Sequence, residues 1–543
     1  MRIDWTKVEQ PDIVFQRFPS RRSVVYGTKG IVAASQPLAV EAGLEILRKG
    51  GNAGSGQGIA GNNIPATNLN SVTVPGCAAA WVDTVGQLGS GNLSLADVLE
   101  PAIRLAEEGF PVSEINSFSY QRSESLLKNA SPNGDEMLLD GKAPLPGQYM
   151  KLTNLAKTFR EVATLGKDGF YKGRVAQAIV DLIKSKGGVM ELEDLASHQT
   201  DFVEPIKYTF NGEVTVYEVS SENVVDFRAA IADDDQQCPP NGQGLTALLA
   251  LGILDNAMDQ GKIRSLLDME HNSAEYLHAL VETMRLAFAD SQYYITDPAF
   301  TKVPVDELLS KEYLASRAKL IDPSRSNPEV VHGNPQHSSD TVYFTVADQW
   351  GNACSFIQSN YAGFGTGAIP AGCGFTLQNR GSNFNLTLGH PNVLEGGKRP
   401  YHTIIPAMAL RNGDLFLSYG VMGGFMQPQG HVQVLLNLLR GFTVQAALDA
   451  PRFCISAGSP ETESNQSGRS GDINSEVYFE EGIPNAVVET LRGMGHDARV
   501  ATGVKRSMFG RGQIIQKLND KSGKTVWAAG SDPRADGHAA AQI

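Results

Sequence analysis

A mixed α/β fold is predicted for this chain of 543 residues, and three stretches carry the prediction. From Gly30, GIVAASQPLAVEAGLEILRKGGNA reads as strand, turn and helix, with Leu38, Ala42 and Ile46 recurring every four residues. Residues 213–218, EVTVYE, alternate as a half-buried strand does. From Thr341, TVYFTVADQWGNACSFIQSN reads as strand, glycine-containing turn and strand. Strands and helices alternate in blocks along the rest, with no internal repeat.

Residues 1–30 read as an irregular lead-in. The first helix stops at Gly50-Gly51, and the Gly/Asn-rich stretch 54–70 is a loop. SVTVPGCAAAWVDTVGQLG, from Ser71, predicts a short strand and then a helix. Helical patterning covers 94–125 and 152–190. After the 213–218 strand, the acidic, aperiodic stretch 220–238 reads as an inserted loop. Apolar-periodic helices follow at 244–258 and 275–290. Residues 321–340 form a polar, proline-containing linker expected to be mobile. Beyond it, DLFLSYGV, SEVYFEEG, HDARVA, GQIIQKL and KTVWAAGS read as strands, with helices at 429–440 and 444–450.

Composition narrows the function. Hydrophobic residues make up 41% and charged residues 19%, enough for a large core in a soluble protein. A net charge of −13 argues against nucleic acid or an anionic membrane as partner. No apolar run approaches the roughly 20 residues of a membrane span. The N-terminus lacks a secretory pattern, so a cytoplasmic location is expected. The five cysteines are widely spaced, without a zinc-type cluster, and no metal or organic cofactor is expected. Gly56–Gly61 matches GxGxxG, but a helix precedes it and a Pro/Asn loop follows, the wrong setting for a dinucleotide. There is no GxSxG elbow. A Cys–His hydrolase built on Cys373 with His390 or His402 is a distant candidate.

The informative junction is Ser338-Ser339-Asp340-Thr341-Val342-Tyr343, where the linker runs straight into a strand. Cutting the Asp340–Thr341 bond would make Thr341 a new N-terminus. Its hydroxyl is a weak nucleophile alone, but its own α-amino group would then sit beside it as base. An α-amino pKa of about 7.7–8.0 suits that task.

The surrounding motifs follow in a fixed order. They are Val74-Pro75-Gly76, Pro239-Pro240-Asn241-Gly242-Gln243-Gly244, ETMRLAFAD from Glu282, Gly363-Phe364-Gly365-Thr366-Gly367, Lys398-Arg399-Pro400, Gly423-Gly424 and Ser531-Asp532-Pro533-Arg534. Together with the Gly30 run, they resemble the gamma-glutamyltranspeptidase (glutathione hydrolase) family, closest to its glutathione hydrolase-like and cephalosporin-acylase-like branch.

The resemblance implies a four-layer αββα sandwich of the N-terminal-nucleophile hydrolase type. It also implies a precursor that cuts itself between Asp340 and Thr341 into a large chain, 1–340, and a small chain, 341–543, sharing one fold. Thr341 would attack a γ-glutamyl or glutaryl-like amide, and water or an amine would release the acyl group. Gly423 and Gly424 would supply oxyanion N–H groups, which glycine permits by close backbone approach. Ser359 stands where the family has a threonine bonded to the nucleophile; otherwise it is a strand-face polar residue. Tyr361, Arg380, Asn383, His402 and Thr403 fall at substrate-binding positions.

Two departures matter. Where the family holds the glutamyl ammonium with Gln and Asp, this chain has Arg380 and Asn383. A guanidinium repels an ammonium and suits a carboxylate, favouring a glutaryl-like acyl group, unless Arg380 turns away to a surface carboxylate. Second, Asn52-Ala53 is followed almost at once by TVPG, so part of the large-chain sheet is expected to be missing. The chain is then either a shorter member that repacks or a catalytically impaired relative lacking substrate-binding strands.

Overall fold

The computed structural model describes residues 1–9, 22–50, 65–218, 241–327, 341–456 and 476–542. The GxGxxG run, the acidic insert 220–238, Pro239-Pro240 and the linker from residue 328 to Asp340 lie outside the described residues.

Eleven strands build the two sheets that frame the site. In chain order they are β1 (Val25–Gly27), β2 (Gly30–Ala34), β3 (Ile206–Phe210), β4 (Val214–Glu218), β5 (Thr341–Asp348), β6 (Ala353–Ser359), β7 (Ala407–Arg411), β8 (Asp414–Met422), β9 (Arg511–Asn519), β10 (Thr525–Ser531) and β11 (Ala539–Gln542). One sheet has the order β11-β2-β5-β6 and the other β1-β10-β9-β8-β7-β4-β3. Neighbours are antiparallel throughout both. Each sheet draws strands from both sides of residue 341.

Period-two alternation explains how the sheets stack. In β2 and β5, Ile31, Ala33 and Ala347 meet Ile515, Trp527 and Ala529 of the larger sheet. Val32, Ala34 and Val346 face the other way, onto Val40, Leu44 and Leu47 of helix α1 (Pro37–Arg48). Each valine, leucine and isoleucine among them contributes about 1.5–3 kcal/mol on full burial. Trp527 Nε1 donates to the Asp348 carbonyl at 3.1 Å, tying the far end of β5 to the opposite sheet.

Behind the larger sheet lie α2 (Gly244–Asp259), α3 (Ala274–Tyr294), α4 (Met426–Leu439) and α5 (Val444–Asp449). The α2 sequence is apolar nearly all round, and it is buried nearly all round, as a core helix must be. Ser273 caps α3 by accepting from the Tyr276 N–H at 3.3 Å.

Three expectations need correction. No strand forms at 71–75: Leu69–Ser71 is a 3-10 turn capped by Asn68, and Cys77–Leu88 is helical. The N-terminal region is not wholly irregular, since Trp5–Glu9 is helical and β1 joins the larger sheet. The linker does not begin freely at residue 321. Glu282 Oε2 accepts from the Asn327 N–H at 2.8 Å, and Arg285 donates to Ser326 Oγ and, at 2.9 Å, to the Asn327 carbonyl.

His278 completes this anchor. Its Nε2 lies 2.7 Å from the Asp322 carbonyl, which can only accept, so Nε2 donates, and its Nδ1 lies 2.7 Å from His496 Nε2. Burial, with His278 and Arg285 alongside, pushes His496 down to about 3. A depressed histidine stabilises the fold fully above its unfolded value of 6.5, and that stability is lost as pH falls toward 3. The uncut chain should therefore lose about 2–3 kcal/mol from this group between pH 6.5 and 4.5. Urea midpoints measured across that range should show a flatter dependence in His496→Gln. Equal slopes in the two proteins would remove His496 from the account.

The smaller sheet has four strands against seven, and among the described residues β6 pairs only with β5. Over its outer face lies an apolar cavity of about 690 Å³, lined among others by Val32, Ile46, Leu105, Phe159, Phe344 and Val346.

Candidate active site

Thr341 opens β5 and is 2% exposed. It shares the parity of Tyr343 and Thr345, so its side chain points between the sheets. Register sets Ser359, the last residue of β6, directly opposite. Thr341 Oγ1 donates to Ser359 Oγ at 2.9 Å, and the same oxygen accepts from the Tyr361 N–H at 2.8 Å. Ser359 is thus more than a polar residue on a strand face.

Tyr361 has φ of +70°, a left-handed conformation costing roughly 1–2 kcal/mol for a side chain of this kind. That turn lays its buried ring under Arg380, whose guanidinium carbon is 5.1 Å from the ring centroid. Arg380 is 1% exposed and donates from Nη1 to Thr403 Oγ1 at 2.8 Å. The outward alternative for Arg380 therefore falls.

Asn383 is placed differently. Its amide nitrogen donates to the Tyr401 carbonyl at 2.7 Å, and its own carbonyl accepts from Asn392. It braces the loop that carries His402 and Thr403. His402 Nδ1 accepts from the Ile404 N–H at 3.3 Å. Burial first, then Arg380 and Arg399, hold this imidazole well below its usual range, so it is neutral at pH 7.

Gly423 and Gly424 follow β8 and precede α4, with φ of +137° and +58°. A Cβ on Gly423 would sit 3.1 Å from Gly510 Cα and 3.2 Å from Met426 Cβ. Their position relative to Thr341 follows from contacts between the sheets. Thr345 Oγ1 and Ser418 Oγ are 2.7 Å apart. Two residues back along β5 and two forward along β8, the Tyr343 ring lies over Gly420, where a Cβ would come within 2.6 Å of it. Another such step sets Thr341 level with Met422, and the glycine pair is next.

Gln243 was not singled out from sequence for any chemistry, although it stands in the Pro-Pro-Asn-Gly-Gln-Gly run. It is fully buried at the start of α2. Its Nε2 donates to the Thr403 carbonyl at 2.5 Å and to the Gly424 carbonyl at 2.7 Å. Apart from that run, the sequence signal was a polar residue leading a helix that is apolar nearly all round. The chain of contacts therefore runs unbroken from Thr341 through Ser359, Tyr361, Arg380, Thr403 and Gln243 to Gly424.

Cys373 does not build a second site. It is buried in an apolar cluster, Arg174 Nη1 donates to its sulfur at 3.5 Å, and burial pushes the thiol up to about 11. The Ser531–Arg534 motif is structural. Asp532 accepts from Arg452 at 2.7 Å, from Arg534 at 3.0 Å and from the Gly512 N–H at 2.7 Å. Asp340 lies outside the described residues.

Residues 57–542 match the family model described as Gamma-glutamyltranspeptidase. The chain is 32% identical to the glutathione hydrolase-like YwrD proenzyme of Bacillus subtilis, over 95% of this chain and 99% of that protein. It is 30% identical to the oxamate amidohydrolase proenzyme of Klebsiella pneumoniae, over 87% and 81%. Among solved structures, a cephalosporin acylase from Bacillus halodurans superimposes with a TM-score of 0.78 at 33% identity, over 98% of this chain and 99% of that one. The alignment with the Bacillus subtilis protein runs over 572 positions, more than the 543 residues of this chain, so that relative has positions without a counterpart here. Among the described residues no helix is long and apolar enough to cross a membrane.

Proposed function

Since the chain belongs to the gamma-glutamyltranspeptidase family and is an enzyme of that type, we propose that it cuts itself before Thr341 and then hydrolyses or transfers the acyl group of diacid half-amides. In the uncut chain the Thr341 nitrogen is an amide and cannot act as base. The first step is attack of Thr341 Oγ1 on the Asp340 carbonyl carbon. The peptide C–N bond breaks, an ester forms, and the hydroxyl proton ends on the departing nitrogen, which becomes a free amine. Water then hydrolyses the ester, leaving an Asp340 carboxylate and an N-terminal threonine. The chains 1–340 and 341–543 stay associated.

In turnover, the α-amino group takes the hydroxyl proton as Thr341 Oγ1 attacks the amide carbonyl. Charge develops on the carbonyl oxygen beside the Gly423-Gly424 turn, where fixed N–H groups lower the barrier. The proton passes to the leaving amine, and an acyl ester remains on Thr341. Water or an amine acceptor then takes the acyl group.

The observation that carries the substrate class is Arg380, a buried guanidinium held against Tyr361 and Thr403 within the same contact chain as Thr341. A cation at that depth favours a terminal carboxylate and disfavours an α-ammonium. His402, being neutral, does not offset it. Oxamate, in the name of one relative, is itself a diacid half-amide. The test is a comparison of glutaryl- and γ-glutamyl-p-nitroanilide. The wild type should prefer the glutaryl amide, and Arg380→Gln should lose about 10- to 100-fold in kcat/KM on it, the worth of a charge-assisted pair. A wild type that prefers the γ-glutamyl amide, unchanged by Arg380→Gln, would overturn the assignment.

A second reading is favoured by one observation, the apolar cavity over the sheet that carries Thr341. On that reading the chain is a family relative that no longer matures. An uncut wild-type chain after prolonged incubation would establish it.

A further inference from the structure

We infer that Gln243 is a positioning residue for the oxyanion turn, supplied by the part of the chain that precedes the cut. The inference rests on the functional reading above and goes beyond it by adding a component no sequence motif assigned.

The argument begins with the peptide units of the glycine turn. The Gly423 carbonyl accepts from the Met426 N–H at 3.0 Å, and the Gly424 carbonyl from the Gln427 N–H at 3.1 Å. Both carbonyls therefore point into the first turn of α4. In a trans peptide the N–H points opposite the carbonyl across the C–N bond. The Gly424 N–H is consequently turned away from the helix. Gly424 has no side chain to hold this arrangement, and at φ +58° it is freer than any other residue would be.

Gln243 restricts that freedom by holding the next peptide unit, the one that carries the Gly424 carbonyl. Its two amide protons are directed to two carbonyl oxygens, those of Gly424 at 2.7 Å and Thr403 at 2.5 Å. Its own backbone N–H donates to the His402 carbonyl at 2.9 Å, and the His402 N–H donates to the Asn241 carbonyl at 2.6 Å. Tyr401 OH reaches Gln243 Oε1 at 3.4 Å. One buried amide thus fixes the glycine turn and the 401–403 loop relative to each other. Through Thr403 Oγ1 that loop also holds Arg380. The distance between the carboxylate-binding end and the oxyanion end of the site is set by this side chain.

Gln243→Met keeps the length and apolar volume but has no donor. Gln243→Asn keeps an amide but is too short to reach both carbonyls. Measured on processed protein and normalised to the active-site titre, kcat for glutaryl-p-nitroanilide should fall about 30- to 100-fold in Gln243→Met, with KM changed less than about threefold. Gln243→Asn should fall between that and wild type. A purely structural role would lower the titre and leave kcat per site unchanged, and that result would overturn the inference.

A second measurement needs no chemistry. In a Thr341→Ala background, hydrogen–deuterium exchange of the peptide spanning residues 419–427 should be faster with Gln243→Met than without. Equal exchange would overturn the inference even if turnover fell. A wild type that neither cuts itself nor hydrolyses either amide would instead sink the functional reading, and the exchange result would still decide whether Gln243 holds the turn.

Discussion

Thr341→Ala should leave a single uncut chain of 543 residues, whereas the wild type should resolve into two fragments, the smaller beginning at Thr341. The substitution removes the oxygen that attacks the Asp340 carbonyl and that later carries the acyl group. Turnover should therefore fall by about 10⁵-fold or more, as in other hydrolases stripped of their nucleophile. The fold should survive, because Thr341 lies at the start of a strand whose length is held by both neighbouring strands. Intact mass and N-terminal sequencing decide the matter. Cleavage of the Thr341→Ala chain at the same bond would assign the cut to another group and remove Thr341 as nucleophile.

Arg534→Met should be the most damaging substitution away from the site. Arg534 is buried between Glu480, which accepts from its Nε at 2.8 Å, and Asp532, which accepts from Nη1 at 3.0 Å. It also donates to the Leu448 and Ala450 carbonyls. Burial alone would push Asp532 up, yet Arg452 and Arg534 bring it below its usual range. Removing one cation leaves two buried carboxylates with less compensation, a change that typically costs about 3–5 kcal/mol. Such a depressed carboxylate stabilises the fold above its unfolded value of 3.8, and that contribution is lost as pH falls further. Arg160→Met is the control, since Arg160 pairs with Glu107 on the surface and is 58% exposed. Denaturation midpoints should drop sharply for the first and stay in place for the second. Similar midpoints would show that the buried network does not hold the fold.

Where the sequence was informative, a single local rule was enough. The run from Gly244 to Asp259 is too apolar to lie on a surface, and it is the core helix. The alternation of β5 and the turn after Asp348 were visible because tertiary packing reinforces them. Strand β11 was invisible because Ala539–Gln542 has no strand pattern of its own, and its pairing is imposed by β2. The run at 71–75 looked like a strand, but Asn68 caps a tight turn there, and no neighbouring strand offers a partner among the described residues. Within the site, Thr341 and Arg380 were singled out through the ordered motifs and the family they resemble, and the structure buries both in one chain of contacts. Gln243 was not, because what it does depends on two carbonyls more than 150 residues away in sequence.

The weave of the sheets determines what maturation can change. β2 lies between β5 and β11, and β3 and β4 extend the sheet that β7 to β10 begin. The proposed cut before Thr341 would therefore sever a covalent bond between chain segments whose strands are interleaved in both sheets. On that proposal the two products would remain one folded body, and activity per site should not depend on dilution. Neither piece presents a closed core when made alone, and a two-gene version would have to assemble as it folds. A precursor cut in this way would be a device for building one core from two polypeptides that could not easily find each other.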